Sequence, residues 1–192
     1  MLADWHEFYA LLGTAAAALV ALLFVAVSIG TSILTPEADS RGNTRTFMSP
    51  VVFHFANILF LSLIALIPSQ TWQSFGIVIG IASIGSIGYS AFIAVRIHRS
   101  AFSDLADRMG YGAVPVLCYA AGSVSAWLLF HGRPAGLNLL AGAALLLLVV
   151  NIRNAWDLMV SLARRVGQPP PPTTKNSALP TGERRFTAPP SP

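Results

Sequence analysis

The side chains able to do chemistry are few, and two groups of them sit inside apolar runs. His54 and Asn57 lie three apart in "VVFHFANILF", and Asn151, Asn154 and Asp157 follow at the same interval in "VVNIRNAWDLMV". On a helix, spacings of three and six residues place such groups on one face. Arg153 and Asp157, four apart, are set to pair. An imidazole that changes charge near neutral pH, beside carboxamides that both donate and accept, would suit a polar vestibule for an ion or small solute. The same residues equally suit hydrogen bonding between helices, with Arg153 reaching the headgroups. No catalytic constellation accompanies them. H-E-x-x-H, G-x-S-x-G, a P-loop and C-x-x-C are all missing from the sequence. His54 and His98 could in principle ligate a haem, but His98 falls at headgroup level and nothing else suggests a porphyrin. His6, Glu7 and His131 would need spatial convergence to hold a metal. The expectation is a chain that is not an enzyme and uses no cofactor or metal.

The elements positioning these residues follow from composition. Of 192 residues, 54% are hydrophobic and 10% charged, far below the roughly 25% of soluble domains. Lipid is the natural solvent for such a chain. The basic excess of +4 sits in short loops and a tail, so nucleic acid is not an expected partner. Cys118 is the only cysteine, which excludes an intrachain disulfide. Asp4 and Glu7 stand where a cleavable signal would carry basic residues. A span needs about 20 apolar residues. Five stretches meet this: 5–34, 47–67, 72–97, 111–130 and 135–163. The expected fold is all-α, a five-helix transmembrane bundle over 1–166. The tail, 167–192, carries eight prolines and little apolar mass, and reads as a disordered cytoplasmic segment. "SAFSDLADRM" has the periodicity of a short surface helix, or equally of a loop.

Charge sets the threading. With the N-terminus outside, eleven basic residues fall inside and only Arg133 outside, and Trp5, Trp72 and Trp127 sit at the outer interface. The expected location is a bacterial inner membrane, N-terminus periplasmic and C-terminus cytoplasmic. "PSQT" and "HGRPAG" are tight turns, so the helices they join should be antiparallel neighbours. Small residues three or four apart supply the expected packing faces: Gly13 and Ala17, Gly76 and Gly80, Gly85 and Gly88, Gly122, and Gly142. The third helix, richest in them, is the expected centre. The same faces would suit a homo-oligomer or another membrane protein as partner.

The opening run "WHEFYALLGTAAAALVALLFVAVSIG" resembles the first helix of small bacterial integral membrane proteins of unassigned function. The resemblance implies a multispan inner-membrane protein and brings no activity, ligand or site residue with it. Two functions are then expected. The first is a scaffold, sensor or partner subunit packing through small-residue faces. The alternative is a small channel or transporter whose vestibule is lined by His54, Asn57, Asn151, Asn154 and Asp157. Matching depth places Asn151 and Asn154 within reach of His54 or Asn57.

Overall fold

The structure, a computed structural model, describes residues 3–33, 43–68, 70–98 and 108–166. Among these residues there are five α-helices and no strand: α1 (His6–Ile33), α2 (Asn43–Ala65), α3 (Trp72–His98), α4 (Val114–Phe130) and α5 (Ala135–Val166). The proline-rich tail, and all but the last two residues of "SAFSDLADRM", lie outside the described residues.

Local chemistry explains the helix ends. A 3-10 turn, Ala3–Trp5, leads into α1, and Asp4 and Glu7 face its positive end. Thr71 Oγ1 accepts from the Ser74 N–H at 3.2 Å, capping the start of α3. Ahead of α4 runs a π-helical turn, Arg108–Ala113, with Pro115 just beyond it. Proline has no N–H to give and crowds the carbonyl four residues earlier, and a wider turn relieves both effects. The α4–α5 connection closes on Gly132 at φ 70°. There the Gly132 N–H donates to Leu129 O at 2.8 Å and the Arg133 N–H to Leu128 O at 2.9 Å, a Schellman ending that only glycine adopts cheaply.

Among the described residues, four helical stretches are long and apolar enough to cross a membrane: His6–Ser28, Trp72–Arg96, Met109–Phe130 and Ala135–Val160. The apolar part of α2, Pro50–Ala65, is shorter. The exterior is apolar: Leu11, Leu22, Ile81, Ile84, Leu117 and Val149 are all exposed, whereas His54, Ser83, Ser86, Ser125, Asn151 and Asn154 are buried. That inversion of the aqueous pattern is what a lipid solvent requires, since polar groups can be satisfied only inside the protein. This is a membrane protein.

Two expectations about packing need correction. The central helix is α5, not α3: half of its apolar stretch is buried, against 28% for α3. It touches α1, α2 and α4, whereas α3 packs chiefly on α4. Although a tight turn joins α2 and α3, they meet only sparsely, because α2 packs instead on α1 and α5. The small residues divide as well. Gly13 faces Ser62, Gly76 faces the α4 backbone, Gly80 faces Ala126 and Gly122 faces Ser83. Around Gly85, Gly88 and Gly142 a side chain would meet nothing within 4 Å, and Ala17 is exposed. These four are therefore not packing positions within the described chain. Helices in lipid touch along one stripe each, and abundance of small residues does not say which stripe.

Candidate functional site

The α2 run that holds His54 also brings Asn57 to the bundle interior. His54 is 1% exposed and its Nδ1 is joined to the Tyr119 hydroxyl of α4 by a hydrogen bond of 2.9 Å. Its ring also lies against Phe53 and Tyr119. Asn57 Nδ2 donates to Phe53 O at 2.9 Å, which fixes the amide so that Oδ1 is free to accept. Ser86 of α3 donates to that Oδ1 at 3.0 Å, and Ser86 also stands beside the Tyr119 hydroxyl. One polar cluster thus links α2, α3 and α4, and bridges the sparse contact between α2 and α3.

The two asparagines of α5 go elsewhere. Asn151 is 1% exposed and Nδ2 donates to the Val51 carbonyl of α2 at 2.8 Å, while Oδ1 has no partner. Asn154 donates from Nδ2 to Gly110 O at 2.9 Å, and the Tyr111 hydroxyl returns a bond to Asn154 O at 2.8 Å. These reciprocal bonds clamp α5 to the π-helical turn. A Cβ at Gly110 would meet Asn154 Oδ1 at 2.7 Å, so any side chain there would have to displace the amide. Asn151 therefore turns toward α2 but bonds its backbone, not His54 or Asn57, and the Asn154 amide bonds the π-helical turn rather than either of them. Asp157 does not join the cluster. It is about half exposed and sits 3.8 Å from Arg153 Nε, a solvent- or headgroup-side pair worth little energetically.

Sequence reasoning missed the hydroxyl partners. Tyr119, Tyr111 and Ser86 complete the bonds, and Ser125 donates to Gly136 O at 2.6 Å to join α4 and α5. Tyrosine within an apolar run was the available signal, because a buried phenol ordinarily finds a partner.

Comparison with protein families, curated proteins and solved structures finds no match to this chain. Its chemistry must be read from its own atoms. Among the described residues no group of three or more His, Cys, Asp or Glu side chains could hold a metal ion. The cavity nearest the cluster is small, about 50 Å³, and is lined by residues of α2, α3, α4 and α5. Asn57, Ser83 and Tyr119 reach it amid apolar walls of Ile58, Ile79 and Leu147. His54, Asn151 and Asn154 do not line it.

Proposed function

We propose that the chain spans a bacterial inner membrane five times, N-terminus outside and C-terminus inside, and serves as a scaffold or partner subunit. Support for α2 as the fifth span comes from its place between α1 and α5 and from its buried His54, Phe55, Ile58 and Ser62. The eleven-to-one distribution of basic residues supports the orientation.

One observation carries the scaffold reading: the buried polar side chains of the inner half are spent holding helices together. Asn151, Asn154 and Tyr111 all donate to backbone carbonyls of other elements. A conduction path would leave such groups facing a hydrated void. The uncovered glycines, Gly85 and Gly88 on α3 and Gly142 on α5, are where another helix could approach closely. Cross-linked co-purification from native membranes tests the proposal. Wild-type protein should bring down a second copy or another membrane protein, and Gly85→Leu with Gly88→Leu should lose it. Recovery of monomer alone in both cases would overturn it.

A further inference from the structure

The cavity beside the polar cluster carries hydrogen-bonding capacity that the helices leave unused. Ser83 lines it from α3, is 6% exposed, and makes no hydrogen bond among the described residues. Other serines in these helices bond back to a carbonyl four residues earlier, as Ser62 and Ser123 do at 2.9 and 3.1 Å. Asn57 lines the cavity from α2. It spends one Nδ2 proton on Phe53 O and its Oδ1 on Ser86, so its second Nδ2 proton is left over. Tyr119 lines it from α4, where its hydroxyl meets His54 Nδ1. Ser83 and Ser86 are three apart on α3, which sets their Cβ atoms about 5–6 Å from each other. Because the Ser86 hydroxyl sits 3.0 Å from Asn57 Oδ1, the gap between Ser83 and that amide is on the scale of two hydrogen bonds end to end.

Size, charge and depth narrow the occupant. A volume of about 50 Å³ takes about two molecules of water size, at roughly 30 Å³ each, and is too small for a ring or a headgroup. No Asp, Glu, Lys, Arg or His lines it, so an ion would lack a countercharge. Ser83 lies eleven residues into α3 from Trp72, or about 16 Å at helical rise, near the middle of a hydrocarbon core about 30 Å thick. An acyl methyl would fill space there but leave the Ser83 hydroxyl and the Asn57 amide unpaired, which is costly at this depth. The Ser83 and Tyr119 hydroxyls donate and accept, whereas the free Asn57 proton only donates. What fits is a neutral molecule of water size that does both.

We propose that this cavity is an internal hydration site near the middle of the membrane, where water bridges Ser83 of α3 to Asn57 of α2 and to the Tyr119 hydroxyl of α4. Three polar partners are what a buried water ordinarily has. The water extends the polar cluster by one turn of α3 beyond Ser86, and joins α2 to α3 where their direct contact is sparse. Ile58, Ile79, Leu140 and Leu147 contribute apolar walls, so the water is held at one place rather than along a path.

The test is water-edited solid-state NMR on the full-length, isotope-labelled chain in phospholipid bilayers, with water protons as the probe. Ser62 is the internal control, since it is as deeply buried but faces Gly13 and bonds Ile58 O. Polarisation started on water should reach Ser83 Cβ and Asn57 Nδ2 at least about fivefold faster than Ser62 Cβ, because a bound water lies in contact with the first two only. Ser83→Ala removes one of the three partners and should cut transfer to Asn57 Nδ2 by at least about half. The wild-type comparison decides by itself if that variant fails to insert. Equal rates at Ser62 and Ser83 would overturn the proposal, and so would an unaltered rate at Asn57 in Ser83→Ala. Cross-peaks to Ser83 and Asn57 from acyl-chain methyls, with none from water, would put lipid in the cavity and also overturn it. None of these outcomes depends on whether the chain recruits a partner.

Discussion

Replacing Asn154 by Leu isolates the clamp between α5 and the π-helical turn. The change removes the 2.9 Å bond to Gly110 O and leaves that buried carbonyl without the amide, while the Tyr111 bond to the residue 154 carbonyl survives. Interhelical hydrogen bonds in membranes average about 0.6 kcal/mol and reach about 1.7. Orphaning a buried acceptor adds about 1 kcal/mol or more. The expected loss is therefore about 1–2 kcal/mol, a factor of about 5–30 in the ratio of folded to unfolded protein. Equilibrium unfolding in mixed micelles titrated with dodecyl sulfate measures it. Tyr111→Phe should cost about 1 kcal/mol by the same route. Because both bonds brace one joint, the double variant should depart from additivity by at least about 0.5 kcal/mol. A loss below about 0.3 kcal/mol for Asn154→Leu, or strict additivity, would refute the clamp.

Four further outcomes are expected. Asn151→Leu should stay within about 0.5 kcal/mol of wild type in the same titration, because it removes an unpartnered Oδ1 together with one bond; a loss above about 2 kcal/mol would show that this amide does more than join α5 to α2. Gly76→Ala should destabilise by about 1–3 kcal/mol, since its Cβ would meet Ala126 O at 2.9 Å and Phe130 N at 3.0 Å, both backbone atoms that cannot turn aside. Gly142→Ala, with open space around it, should leave the monomer's thermal midpoint unchanged or slightly raised, and equal behaviour of the two variants would contradict the observed α3–α4 contact. A reporter fused after Arg165 should read cytoplasmic and one inserted at Ser69 periplasmic; a periplasmic signal after Arg165 would remove the five-span topology.

The sequence by itself determined what depends on solvent and on local backbone chemistry. Runs of about 20 apolar residues have to satisfy their backbone internally in lipid, so helices were legible wherever such runs occur, and Pro68, Gly132 and Pro134 mark turns by their own dihedral limits. The Arg153–Asp157 pair was legible too, because a four-residue interval on one helix is a local fact. What only the tertiary structure decided is which stripe of each helix turns inward. Helical period places Asn151 and Asn154 on one face, yet that face spans both α2 and the turn before α4, and depth alone could not divide them. Likewise Gly76 and Gly88 look alike in sequence, but one touches the α4 backbone and the other touches nothing. Helices in lipid have no aqueous face to mark their outside, so their rotation and partners are set by close fit and by paired polar groups, and those become visible only when the helices are placed side by side.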